Sequence, residues 1–153
     1  MGVALAGRLD GAAYRVYTLV GDGELAEGSN WESMLTAAHY RLDNLIAIVD
    51  RNTLQITGCT EDVCALEPLG KKFEAFGWAV RCVDGHDPAA LTDALGAVPF
   101  EEGKPSALIA RTVKGKGISF MENDPKWHHH VPTDEQYERA QEELDRRLRE
   151  VQA

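Results

Sequence analysis

Arg15-Val16-Tyr17-Thr18-Leu19-Val20 runs straight into Gly21-Asp22-Gly23-Glu24, and Leu45-Ile46-Ala47-Ile48-Val49 runs straight into Asp50-Arg51-Asn52. Each is an apolar, β-branched run cut off by turn-forming residues, the pattern of a strand and the loop at its carboxyl end. The second run is continuous rather than alternating, as expected of a strand buried on both faces. Between them, Ser29-Asn30-Trp31-Glu32 has the Ser-x-x-Glu form of a capping box and predicts a helix from near Asn30. Its apolar positions Trp31, Leu35, Ala38 and Leu42 recur at helical spacing, and it should stop around Asp43-Asn44. Strand, helix, strand at this length is a right-handed parallel crossover. It brings Asp22 and Asn52 to neighbouring strand ends.

The unit then repeats along the chain. Pro68 opens a helix over Leu69 to Phe76, closed by Gly77. Trp78 to Val83 is a third strand, and Asp87-Pro88 opens a helix to about Val98. Ser106 to Val113 is a fourth strand, ending in Lys114-Gly115-Lys116-Gly117. After a loop through Trp127-His128-His129-His130, Thr133 caps a last helix whose Tyr137, Ala140, Leu144, Leu148 and Val151 make one apolar stripe. Gly2 to Leu9 reads as the tail of a helix, ended by Asp10-Gly11. Strands alternating with helices predict an α/β fold, a doubly wound and mostly parallel sheet with helices on both faces. Residues 1–153 carry no linker and no repeat, so one domain is expected.

At 153 residues the chain is long enough to bury a core. A net charge of −9 argues against a nucleic-acid partner or an acidic membrane, which demand a basic face. No apolar run approaches the roughly 20 residues needed to cross a bilayer. The amino terminus lacks the basic-then-apolar order of a signal peptide, and Ala6 stands where a myristoylation pattern wants Ser or Thr. Cys59, Cys64 and Cys82 are odd in number with no Cys-x-x-Cys spacing, which predicts reduced thiols and a cytoplasmic protein. Between Cys59 and Cys64 a mobile loop is expected rather than a metal site.

Ligands of an open parallel sheet bind beyond the carboxyl ends of its strands. The glycines beside Asp22 allow a tight turn and a close approach of backbone amides to an anion. A carboxylate and an amide oxygen suit Mg²⁺ or Ca²⁺ rather than zinc, and magnesium completes its shell with phosphate oxygens and water. Either motif alone reads equally as ordinary turn chemistry. Thirty residues apart (52 − 22) and on consecutive strands, they point together to a metal–diphosphate site. A dinucleotide-binding dehydrogenase is disfavoured, because no Gly-x-Gly-x-x-Gly follows the first strand.

Gly21-Asp22-Gly23 with Asn52 thirty residues after the aspartate resembles the thiamine diphosphate motif. The surrounding words GDGELAEGSNWE (21–32), NLIAIVDRNTLQITG (44–58) and ARTVKGKGISFMEN (110–123), with Trp127-His128, resemble transketolases in their diphosphate-binding domain. The likeness is greatest to the small amino-terminal subunits of split transketolases. It implies that Asp22 and Asn52 bind Mg²⁺ by side chain and Leu54 by its carbonyl, and that Gly23 meets the diphosphate through its amide. Lys114 matches a position near the cofactor, and Glu27 matches an acidic residue at the dimer contact, though it reads equally as a solvated charge. His128 matches a catalytic histidine that contacts the diphosphate and the substrate, where an imidazole can exchange a proton at neutral pH. Many family members follow Trp-His with Gly-Lys; His129-His130 stand here instead. Three adjacent histidines point in different directions and cannot share one ion.

In that family the diphosphate-binding domain starts well upstream of the position of Met1 and is followed by a pyrimidine-binding domain whose glutamate activates the cofactor. The resemblance therefore implies a chain truncated at its amino end and incomplete by itself. Partner chains would supply the rest in a hetero-oligomer that moves a two-carbon ketol unit between sugar phosphates. The face left open should be apolar. Two alternatives stand beside this reading. One is another thiamine diphosphate enzyme, such as a 2-oxoacid dehydrogenase component or deoxyxylulose phosphate synthase; Lys114 to Gly117 followed by Trp127-His128 favours transketolase. The other is a non-catalytic assembly module.

Overall fold

The structure is a computed structural model that describes residues 1–152. Its strands are β1 (Val16–Gly21), β2 (Leu45–Arg51), β3 (Leu54–Gln55), β4 (Gly58–Cys59), β5 (Ala79–Asp84) and β6 (Ser106–Arg111). Its α-helices are α1 (Gly2–Leu9), α2 (Gly28–His39), α3 (Thr60–Val63), α4 (Leu69–Ala75), α5 (Pro88–Gly96) and α6 (Asp134–Gln152). Four strands form one parallel sheet in the order β1-β2-β6-β5, flanked by helices as the sequence predicts. The two central strands are those with continuous apolar runs, and both are buried along nearly their whole length.

Alternation sorts the sheet residues between two faces. Leu45, Ala47, Val49, Ala107 and Ile109 join Met34 and Ala37 of α2 and Leu69 and Phe73 of α4 in the main core. Trp31 and Trp78 flank Phe73 with ring centroids 6.2 and 5.6 Å away, and the Trp78 indole donates to the Met34 carbonyl at 3.0 Å. On the other face, Ile46, Leu108 and Ala110 are buried too, while Tyr17 and Leu19 of the edge strand β1 stay exposed.

Local differences have physical reasons. The capping box at Ser29 does not form: α2 starts at Gly28 with Glu27 at the cap position and no side-chain cap bond. Asn30 and Trp31 instead donate back to the Glu24 and Leu25 carbonyls, tying α2 to a 3-10 turn over Gly23–Ala26. The buried face of α2 follows Met34 and Ala37, and Leu35 points to solvent. The helix ends at His39, short of Asp43, because Arg41 turns left-handed and the Leu42 amide closes back on the Ala37 carbonyl. At Thr133 the box is complete. Its hydroxyl accepts from the Gln136 amide while the Gln136 side chain accepts from the Thr133 amide. The expected stripe of α6 is mostly open, with only Ala140 buried. The small antiparallel pair β3-β4 was not foreseen. The segment expected as a mobile loop carries β4 and α3.

Candidate functional site

β1 ends at Gly21, which lies in register with Asp50 of β2, and the Asp22 amide donates to the Asp50 carbonyl at 3.1 Å. Asp22 then caps the 3-10 turn, its Oδ1 accepting from the Gly23 amide at 2.8 Å. Its Oδ2 takes the Thr53 amide at 2.6 Å and Arg51 Nη1 at 2.8 Å. Thr53 holds a left-handed backbone, φ +67°, which is strained for a β-branched residue by about 1–3 kcal/mol. The strain is offset locally, since Asp22 accepts its amide and its carbonyl accepts the Thr60 amide. This turn swings Asn52 and Leu54 towards Asp22.

Arg51 is the residue that sequence reasoning missed. It lies at the end of β2, 5% exposed, and all five guanidinium protons have acceptors. Nη1 donates to Asp22 and Thr60, Nη2 to Glu61 and Glu67, and Nε to Glu67. Burial alone would lower its affinity for a proton, yet the bonds and charges of Asp22 and Glu67 hold it above the ordinary range. Glu61 is held below the ordinary carboxyl range, chiefly by the Leu66 amide. A charged residue next to an expected metal ligand, just past the run read as a buried strand, was the one signal available, and the structure extends the strand to include it.

The other side of the site comes from the segment after β6. Lys114 stands before Gly115, whose backbone is left-handed at φ +73°; a Cβ there would strike the Met121 carbonyl. Trp127 anchors the next turn, a 3-10 helix over Pro125–His128, by packing between Phe120 and His130 and donating to the Phe120 carbonyl at 3.0 Å. The rings of His128 and His129 meet edge-on at 4.5 Å, so the three histidines diverge. Desolvation at the cavity rim, then the charges of Lys114 and His129, hold His128 below the ordinary imidazole range, and its ring is neutral near pH 7.

These two sides close on one cavity of about 510 Å³. Asp22, Gly23, Asn52, Leu54, Lys114 and His128 all line it, with Glu24, Gln55, Ile56 and Thr57, which the sequence had not marked. Glu27 does not; it is exposed at the start of α2. A Cβ on Gly23 would come within 2.8 Å of Gln55 Cβ, so glycine keeps this wall open.

The donor set fits a hard divalent cation and a diphosphate. Asp22 Oδ1 and Asn52 Oδ1 each accept one hydrogen bond here and retain a free lone pair. Two carboxylates, Asp22 and Glu24, and one lysine line the wall, so a diphosphate needs a bridging cation to sit beside them. Among the described residues no cluster of three or more His, Cys, Asp or Glu could hold a metal by side chains alone, and Cys59, Cys64 and Cys82 are unpaired. No helix among them is long and apolar enough to cross a membrane.

The sequence matches the family described as transketolase, thiamine diphosphate binding domain, over residues 9–146. It is 50% identical over 144 residues to an apulose-4-phosphate transketolase subunit from Actinobacillus succinogenes, covering 94% of this chain and 52% of that protein. It is 41% identical over 146 residues to the 6-deoxy-6-sulfo-D-fructose transketolase subunit SqwG from a Clostridium species, covering 95% and 53%. The transketolase structure from Campylobacter jejuni superposes with a TM-score of 0.84 at 32% identity, over 95% of this chain and 23% of that one. The chain thus spans about half the length of the subunit relatives it matches.

Proposed function

This chain belongs to the transketolase thiamine diphosphate-binding family, and we propose that it grips the magnesium diphosphate end of thiamine diphosphate in a transketolase. The enzyme would move a two-carbon ketol unit from a ketose phosphate to an aldose phosphate. The observation that carries this reading is the single cavity shared by Asp22, Gly23, Asn52, Leu54, Lys114 and His128. Asp22 and Asn52 would each give one oxygen to Mg²⁺, and Leu54 its carbonyl. The Gly23 amide donates to Asp22 here, so Gly23 serves the diphosphate first by having no side chain. Lys114 would balance phosphate charge. Bound thiamine diphosphate supplies the carbon nucleophile and electron sink that side chains lack. Neutral His128 would take and return the proton of a substrate hydroxyl at the cavity rim.

Two relatives are named as subunits, which supports partner chains that complete the site, and exposed Glu27 would lie at the contact with them. Their named sugars, apulose 4-phosphate and a sulfofructose, favour a ketose ending in an anionic group over any one pentose phosphate. The three unpaired cysteines suit a cytoplasmic protein.

The test is a calorimetric titration of thiamine diphosphate with Mg²⁺ into the chain and its partner. We expect binding that Asp22→Ala abolishes; unchanged heat from that variant overturns the assignment. The chain alone, given cofactor, ketose phosphate and aldose phosphate, should not sustain ketol transfer, and sustained transfer would remove the need for a partner.

A further inference from the structure

His86 stands in the turn between β5 and α5 and is no part of the cofactor cavity. Its Nε2 accepts a hydrogen bond from the Val113 amide at 2.7 Å. An imidazole nitrogen that accepts carries no proton, so this bond requires the neutral ring with its proton on Nδ1. The turn that carries it is braced: Asp84 Oδ1 accepts from the His86 amide at 2.8 Å, and the Gly85 amide donates to the Arg111 carbonyl at 2.7 Å. Val113 is the residue before Lys114. On the other side of Lys114, its carbonyl accepts the Asn123 amide at 2.9 Å. Lys114 is therefore suspended between a bond made by His86 and a bond made by its own loop.

A second cavity, also of about 510 Å³, is lined by His86 together with Asp50, Asn52 and Lys114. Asn52 and Lys114 line the cofactor cavity as well. His86 thus supports, from behind, the wall that carries the one lysine facing the expected diphosphate.

We propose that His86 is a positioning residue that acts through Val113, a proton-sensitive latch that sets Lys114 in the cofactor cavity. With the ring neutral, the Val113 amide is held. A second proton, on Nε2, turns that atom from acceptor to donor, so Val113 is released and Lys114 loses its upstream support. The titratable and charged groups that share a cavity lining with His86 are Cys82 and Asp84 of β5, Asp50 of β2, and Arg111, Lys114 and Lys116 from β6 and its following turn, and Asp87 follows His86 in the chain. The proposal rests on the reading of Lys114 as a diphosphate contact, and its two arms separate the two.

The first arm needs no cofactor. Nitrogen-15 NMR of the whole chain between about pH 7.5 and 5.5 follows the His86 ring and the Val113 and Lys114 amides. We expect these amides to shift with the protonation of His86, and protection of the Val113 amide, its exchange relative to an unstructured amide at the same pH, to fall by about tenfold or more. His86→Gln, whose Oε1 can take the place of Nε2 and does not titrate, should hold Val113 protected across the range, and His86→Ala should leave it unprotected throughout. A Val113 amide indifferent to His86 overturns the latch; if the alanine variant does not fold, the unmodified chain and His86→Gln suffice.

The second arm measures inorganic diphosphate affinity with Mg²⁺, comparing His86→Gln with the unmodified chain at each pH. That comparison cancels the titration of His128 and of diphosphate itself. We expect roughly a 3- to 10-fold weakening on acidification in the unmodified chain beyond any in His86→Gln. Equal weakening in both overturns the role toward Lys114. No diphosphate binding at any pH, with Val113 still following His86, upholds the latch and overturns the diphosphate reading.

Discussion

The two walls of the cavity are built differently. Asp22, Arg51 and Asn52 sit at the ends of β1 and β2, and they are 1%, 5% and 8% exposed. Every guanidinium proton of Arg51 has an acceptor, and both Asp22 oxygens are bonded. Lys114 and His128 instead ride on the long connection between β6 and α6, where His128 is exposed and the supports are turns, one tryptophan and a few side-chain bonds. In the strand wall, the groups suited to the metal are the groups that close the sheet, so chemistry and fold share the same bonds. In the loop wall they are separable. Changes to the first should register as stability, and changes to the second as function.

Arg51→Met is the strongest test of that contrast. It leaves Asp22 buried with one charge-bearing partner gone, and breaking a buried pair from one side costs about 3–5 kcal/mol. Whole domains are stable by only about 5–15 kcal/mol, so urea unfolding should show a large fall in midpoint. Arg51→Lys should fall between, because an ammonium has three donors for acceptors placed around a five-donor fork. If Arg51→Met unfolds within about 1 kcal/mol of the unmodified chain, the strand wall is not what closes the sheet and the contrast fails.

What the sequence revealed divides along the same line. Continuous apolar runs that stop at Gly21 and Asp50 are visible because a parallel strand buries both faces, and the spacing of Asp22 and Asn52 follows from one crossover. Arg51 has no such signal: its partners Glu61 and Glu67 lie 10 and 16 residues away and outside the strand that carries it, so no repeat within one element links them. The pair β3-β4 has two residues per strand, too short to show alternation. Ser29 and Thr133 show the limit of local motifs. Both carry the capping pattern, but Asn30 and Trp31 bind the turn before α2 and Glu27 takes the cap position, whereas nothing competes at Thr133. The positions of Lys114 and His128 against Asp22 depend on how the loop closes, which no periodicity records.

His128→Ala sharpens the contrast from the loop side. An exposed ring with no hydrogen bond to the other described residues should change stability by no more than about 0.5 kcal/mol. With the proposed partner chain and cofactor present, loss of the acid–base role proposed for His128 should lower kcat/KM by roughly 10²–10⁴. Unfolding curves and rates on the same preparation check both. A stability loss as large as that of Arg51→Met would merge the two walls into one.

The smallest effect concerns how the loop wall is tied to α6. The Ser119 amide and hydroxyl both donate to Glu143 at 2.7 Å, and the Gly117 amide donates to Glu122 at 3.1 Å. These backbone bonds first, with lesser help from nearby cations, hold both carboxyl groups below their usual range. A carboxyl group whose proton affinity is depressed by folding adds stability above its unfolded value, near pH 4.5, and that stability is lost as the pH falls through the folded value. Acid should therefore loosen the loop from α6, read as declining protection of the Ser119 amide between about pH 5 and 3. Glu143→Gln keeps an acceptor oxygen and cannot titrate, so most of the decline should vanish in that variant. If protection falls equally in both chains, Glu143 is not the tie, and the loop wall must owe its place to Trp127 and to the turns around Lys114.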